Sequence, residues 1–300
     1  MDHVKICNKI DQTIKSLTEL KALFSAQAEP TLVAQAEPTE NLSQFEELKK
    51  ALFSDKWPVA VNPNLICDPN SSEDKKERGI GILELIIEDQ LTKESKFLDF
   101  GCGEGHCVTS AVETLGCGLS VGYDVKAHDW PISTDNTIFA TSYEQAAALG
   151  PYNAILMFDV IDHPVGETPE QILKKAADLL APNGKIYLRC HPWISRHGTH
   201  LYHKLNKAYA HLVFTDKELK LLSDYEPEPN TKIVYPIASY NDMSKAAGLV
   251  VFNQRNITES VDSFFKIPKI AERIIANTGH GQFPEFQMGL QFIDYVLTKA

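Results

Sequence analysis

A strand that must end in a glycine turn constrains this chain more than any other feature. Phe97-Leu98-Asp99-Phe100 is an apolar run interrupted by one acid. Gly101-Cys102-Gly103-Glu104-Gly105 follows it, and the next apolar run, Leu119-Ser120-Val121-Gly122-Tyr123, leads to Asp124. Glycine belongs where backbone takes positive φ or passes a ligand without a Cβ in the way. A helix opening after Gly105 would present free N–H groups to an anionic ligand group. A carboxylate at the tip of the neighbouring strand suits both hydroxyls of a ribose. The pattern therefore predicts a nucleotide-type cofactor site.

Composition agrees with that expectation and narrows it. A chain of 300 residues that is 43% apolar has material for one large α/β domain and an appendage. No stretch approaches the ~18 uncharged apolar residues of a membrane span, and Met1-Asp2-His3-Val4-Lys5 lacks the basic and apolar regions of a signal peptide. Six scattered cysteines with no CxxC pair suggest reduced thiols, hence a cytoplasmic setting. A formal charge of −11 disfavours nucleic acid as a partner, though a local basic patch could still take an RNA end.

The first 71 residues read as a helical extension. Ile6, Ile10, Ile14, Leu17, Leu20 and Phe24 recur at helical spacing. Ala26-Gln27-Ala28-Glu29-Pro30-Thr31 then returns as Ala34-Gln35-Ala36-Glu37-Pro38-Thr39, a composition suited to an extended linker. Glu19-Leu20-Lys21-Ala22-Leu23-Phe24-Ser25 returns as Glu47-Leu48-Lys49-Lys50-Ala51-Leu52-Phe53-Ser54, so helix and linker look duplicated. Two copies are too few for a solenoid. Self-association, packing on the adjoining domain or partner binding through residues 1–54 is expected.

From residue 72 helix and strand alternate. Ser72 is expected to cap a helix, and strands are expected over 96–100, 119–123, 137–141, 154–158 and 185–190. Helices are expected over 106–115, 142–149 and 170–180. Such alternation implies a Rossmann-like, doubly wound, mostly parallel sheet. Two further strands, over 249–253 and 286–297 with helix 261–276 between them, break the alternation and predict an antiparallel C-terminal strand.

Asp99-Phe100-Gly101-Cys102-Gly103-Glu104-Gly105 resembles motif I of the class I S-adenosylmethionine-dependent methyltransferases, and Asp124 falls at that family's ribose-binding acid. Tyr152 to His163 resembles the family's fourth strand and loop. Leu180-Ala181-Pro182-Asn183-Gly184-Lys185 resembles its turn before strand five, with Asn183 replacing a glycine. The resemblance covers residues 72–300 and implies S-adenosylmethionine as cofactor. It places Gly101, Cys102, Gly103 and Gly105 along the methionine portion and Asp99 near its ammonium. Asp124 falls on the ribose, and Val125, Thr141 and Ser142 by the adenine. Phe158 and Asp159 border the cofactor on the opposite side.

The acceptor is less determined. His163 follows the fourth strand, where a base could take a proton. The segment 189–220 carries six lysines and arginines against two acids, along with five histidines. It predicts a substrate lid inserted over 191–236, in which His191, Arg196 and His197 are the catalytic candidates and Arg196 would recognise an anionic acceptor. His197, His200 and His203 have helical spacing, but no cysteine or carboxylate accompanies them, so no metal is expected. The signatures of amino-methylating and cytosine C5 DNA enzymes are missing. A small-molecule or protein acceptor is therefore expected. The other reading is a module that binds cofactor and assembles without turnover.

Overall fold

The computed structural model describes residues 31–32, 42–61, 71–162, 164, 166–198, 200–226, 233–234, 237–278 and 288–300. The helix expected over residues 6–24 lies outside these residues, and so does the linker repeat apart from Thr31 and Leu32. Those two residues pair antiparallel with Ile233 and Val234.

Seven strands form the main sheet: β1 Lys96–Phe100, β2 Leu119–Tyr123, β3 Thr137–Ala140, β4 Tyr152–Phe158, β5 Leu180–Cys190, β6 Leu249–Thr258 and β7 Leu290–Lys299. Their order is β3-β2-β1-β4-β5-β7-β6. The first five are parallel, and β7 runs antiparallel to both β5 and β6. The strand order reverses at β1, so the connections leaving β1 and β4 diverge and open a crevice at the strands' carboxyl ends.

Strand periodicity sorts the core onto two faces. Leu98, Ile155, Met157, Ile186 and Leu188 point to one face. There they pack with α4 Tyr143–Leu149, α5 Pro169–Leu179 and α8 Ile237–Ala246. Phe97, Ala154, Leu156 and Tyr187 point to the other, against α2 Ser72–Ile86 and α3 His106–Leu115. Helix α5 starts on a capping box, Thr168 with Gln171, with Pro169 in the first turn. Helix α3 stops at Gly116, whose φ of 75° lets its N–H return to the Val112 carbonyl at 3.2 Å.

A third apolar cluster lies away from the sheet. It joins α1 Leu42–Leu52 to α6 Ala210–Val213, α7 Asp216–Ser223, α9 Asp262–Phe265 and α10 Ile270–Thr278. Leu48, Leu52 and Trp57 are buried in it beside Trp193, Phe214 and Phe264. The Trp57 indole donates to the Ala208 carbonyl at 2.8 Å, and its ring lies 5.3 Å from that of Phe264. The described part of the N-terminal extension is thus built into the segment that follows β5.

Several boundaries differ from the sequence expectation. The α2 cap is Ser71, which accepts from the Asp74 N–H, not Ser72. Strand β5 begins five residues early, because its pairing with β4 jumps from Tyr152–Leu180 to Ala154–Lys185 and absorbs the expected turn as a bulge. A Cβ at Gly184 would meet the Tyr152 carbonyl oxygen at 2.7 Å, which explains a glycine there. After Gly198 the chain makes only a 3₁₀ turn, His200–His203, followed by irregular chain. Asn206 in that chain is tied by two 2.8 Å hydrogen bonds to the backbone of Val61, a partner no local pattern announces. The 261–276 helix is split into α9 and α10 around Pro268 and Lys269, the latter at φ 67°. Among the described residues no helix is long and apolar enough to cross a membrane.

Candidate functional site

The glycine turn is held from below by β2. The N–H groups of Gly101 and Cys102 both donate to the Tyr123 carbonyl, at 2.7 and 3.0 Å. Gly101, Gly103 and Gly105 take φ of 82°, 50° and 80°, values that cost an L side chain about 1–2 kcal/mol. Space adds to this constraint. A Cβ at Gly101 would come within 2.7 Å of Val160, and one at Gly105 within 2.5 Å of Phe139. At Gly103 nothing lies within 4 Å, because that face of the turn is open.

What it opens onto is a cavity of ≈ 270 Å³ at the carboxyl ends of β1, β2 and β4. Six of the sequence-predicted cofactor residues line it: Gly101, Gly103, Asp124, Val125, Phe158 and Asp159. Asp124 is fixed from both sides. Its Oδ2 accepts from the Gly103 N–H and its Oδ1 from the Lys126 N–H, both at 2.9 Å. Val125 presents an exposed apolar surface beside it. The donor set fits a nucleoside cofactor bearing a diol and a charged tail: a Cβ-free wall, an oriented carboxylate and an apolar rim.

Five predicted residues stand behind the cavity. Asp99 is buried within β1, where desolvation and then Asp124 push its carboxyl up to about 7. The Cys102 thiol is packed beneath the turn and held well above its usual range by burial, then by Asp99 and Asp124. That thiol is no nucleophile at neutral pH. Gly105 opens α3. Thr141 gives its N–H and hydroxyl to Gln145 Oε1, and Ser142 caps α4 by accepting from the Gln145 N–H. Their polar groups serve the helix start instead of the cavity.

Sequence reasoning missed the loop after β2. The Trp130 indole donates to the Gly103 carbonyl at 2.7 Å and stacks on Phe139 with ring centroids 5.1 Å apart. His128 lies 3.8 Å from Asp124. The signal was present in Asp129-Trp130-Pro131, a lone aromatic in an otherwise polar stretch.

The ends of β4 and β5 carry a polar cluster. Asp162 accepts from the His191 N–H at 2.5 Å and the Tyr240 hydroxyl at 2.9 Å, while burial pushes its carboxyl up to about 6. Arg189 makes a bidentate pair with Asp294 at 2.6 and 2.7 Å and lies over the rings of Phe292 and Phe158. His191 and His197 are brought together, ring nitrogen to ring nitrogen at 2.5 Å, with both rings against Phe292. Burial and then the Arg196 charge push His197 down to about 4, so it is neutral at pH 7.

The structure does not bring Arg196 to the cavity. Its guanidinium pairs with Glu259 and donates to the Val59 carbonyl, joining the end of β6 to the N-terminal segment. His163 lies outside the described residues. His211 is bonded to the Trp193 carbonyl at 2.7 Å. No group of three potential metal ligands occurs among the described residues.

A family model described as a methyltransferase domain matches residues 75–253, more than half of the chain. The chain belongs to that family. It is a class I S-adenosylmethionine-dependent methyltransferase, and S-adenosylmethionine is its cofactor. No curated protein matches the sequence. Among solved structures, the chain is similar to the Burkholderia thailandensis 1,6-didemethyltoxoflavin-N1-methyltransferase, crystallised with 1,6-didemethyltoxoflavin and S-adenosylhomocysteine. The identity is 10%, with 91% of this chain and 95% of that one covered and a TM-score of 0.41. It is also similar to the plantazolicin methyltransferase BamL in complex with a triazolic desmethylPZN analog and S-adenosylhomocysteine. There the identity is 12%, the coverage 75% and 86%, and the TM-score 0.41.

Proposed function

We propose that this methyltransferase acts on a small molecule or an accessible protein side chain. The observation that carries this reading is the fate of the cations in residues 189–220. Arg189 is closed against Asp294, Arg196 against Glu259 and Lys220 against Glu226. With both arginines of the segment paired internally, neither guanidinium is available as a phosphate ligand, and the net charge of −11 points the same way.

In this reading Gly101, Gly103, Asp124, Val125 and Phe158 hold the cofactor, which supplies an electrophilic methyl group when bound. The open face of Gly103 lets backbone approach the ligand, and the remaining lone pairs of Asp124 take the ribose hydroxyls. The acceptor enters at the ends of β4 and β5, beside Asp159, His191 and His197. Much of the rate comes from holding acceptor and methyl at attack distance in an enclosed site. The matching organisation is a methyltransferase domain over 72–300, an extension over 1–71 and a cap inserted at 191–236. Among the described residues Cys102, Cys107, Cys117 and Cys190 are buried free thiols, in keeping with a reducing, cytoplasm-like setting.

Incubating the protein with methyl-labelled S-adenosylmethionine and fractionated cell extract tests the acceptor class. Label is expected in the small-molecule or protein fraction. Label confined to RNA would overturn the reading.

A further inference from the structure

Three carboxylates gather at the ends of the central strands, and two of them are fully used. Asp294 accepts from Arg189 at 2.6 and 2.7 Å and from Arg255 at 2.7 Å. Asp162 accepts from the His191 N–H and the Tyr240 hydroxyl, one on each oxygen. Asp159 differs. Its Oδ1 is buried and meets no hydrogen-bond partner among the described residues, although the residue lines the cavity. A buried acceptor left unpaired costs about 1–3 kcal/mol.

The backbone of Asp159 is held for the purpose. Its φ is 55°, a left-handed value rare outside glycine, and its N–H donates to the Arg189 carbonyl at 3.0 Å. Such strain persists where surrounding structure imposes it, and it clusters at functional sites. Arg189 pulls on the carboxylate only through space, because its guanidinium is bidentate to Asp294 and lies over the rings of Phe158 and Phe292.

We propose that Asp159 accepts the proton of the methyl acceptor, and hence that the acceptor is a neutral N–H or O–H nucleophile. The proposal rests on the acceptor reading above and deepens it. In the step, the heteroatom's lone pair forms the bond to the methyl carbon. The electron pair of the broken carbon–sulfur bond stays on sulfur, and the acceptor's proton passes to the Asp159 carboxylate and from there to water. The charged and titratable groups around Asp159 are Asp162 on its own loop, Arg189 on β5, Arg78 on α2 and Asp294 on β7. Tyr202 on the 3₁₀ turn also senses its charge. Burial, then Asp162, pushes the carboxyl up to about 8 against the pull of Arg189 and Arg78. At pH 7 most of the carboxyl is then protonated, so transfer runs through the ionised fraction and should rise with pH to about 8.

The test does not require knowing the acceptor. Protein carrying carboxyl-labelled aspartate is saturated with S-adenosylhomocysteine and titrated by carbon NMR, and the resonance lost in Asp159→Asn identifies the group. A midpoint above about 6, well beyond the ordinary aspartate range, is expected, with S-adenosylhomocysteine affinity in Asp159→Asn unchanged within about tenfold. A midpoint at or below that value overturns the proposal. So does a larger loss of affinity, which would make Asp159 a cofactor ligand. On any secondary amine, azole or phenol that the parent enzyme methylates, Asp159→Asn is expected to slow transfer by about 10²–10⁴-fold, and equal rates would sink the idea. Failure of the parent protein to bind S-adenosylhomocysteine would instead strike at the methyltransferase assignment itself.

Discussion

The cofactor cradle and the cap proposed above are built on opposite plans. The cradle, residues 97–125, is closed by contacts between neighbours in sequence: Gly103 to Asp124 spans 21 residues, and Gly105 bonds back to Cys102. The cap is closed by contacts from afar. Trp57 reaches Ala208 across 151 residues, Asn206 reaches Val61 across 145, and Arg196 reaches Val59 across 137. A local design can be changed with local consequences for ligand binding. A long-range design spreads any change into stability, because ordering distant chain must be offset by burial. Damage to the cap should therefore appear in unfolding, and damage to the cradle in cofactor affinity.

The largest effect is expected at Trp57. Trp57→Ala removes a buried indole and its hydrogen bond and should lower unfolding free energy by about 3–5 kcal/mol. Affinity for S-adenosylhomocysteine, measured calorimetrically on the folded fraction, should hold within a few-fold. A cradle that fails along with the cap would erase the contrast. Gly101→Ala reverses the pattern: positive φ and the Val160 contact should weaken binding by about 2–3 kcal/mol. Asp124→Ala leaves the Gly103 N–H without its acceptor and should cost about 1–3 kcal/mol of cofactor affinity, with a smaller change in melting temperature. Intact affinity would move the diol contact elsewhere.

Arg196→Ala sharpens the comparison, since the same residue was expected from sequence to recognise the acceptor. Placed between Glu259 and Val59, it should shift stability by about 1–3 kcal/mol and leave acceptor KM alone. A raised KM would return it to the site. His197 gives the smallest effect. Its folded-state value is pushed down to about 4, below that of the unfolded chain, so the unfolded state binds the proton first. Stability from this group is complete above the unfolded value near 6.5 and is lost as pH falls toward 4. Asp162, raised to about 6, acts in the opposite sense and loses its contribution as pH rises from its ordinary value to about 6. His197→Gln should flatten the acid-side fall in denaturant midpoint, and an unchanged profile would remove His197 as its source.

Legibility followed the same division. Strands β1 and β2 and helix α3 fall where apolar period, glycine and caps put them, because each signal acts over a few residues. Thr215 and Glu218 form a capping box, a signal confined to four residues. Elsewhere local signals lost to distant partners. Within residues 200–209 the Asn206 side chain bonds the Val61 backbone and the Ala208 carbonyl accepts from the Trp57 indole, which ties this stretch to the N-terminal segment. Arg196 looked available to an anionic acceptor because its partner Glu259 lies 63 residues away along the chain.

By itself, the sequence determined the α/β alternation, the glycine turn with Asp124, and so the cofactor class. These rest on backbone conformation and hydrogen bonds between adjacent elements. Tertiary structure alone decided that the described N-terminal residues pack on the segment after β5, that Arg196 pairs with Glu259 and Val59, and that Asp159 is the one acid of three left with an unpaired oxygen among the described residues. Burial and pairing are properties of what folds against a side chain, and no local pattern encodes them.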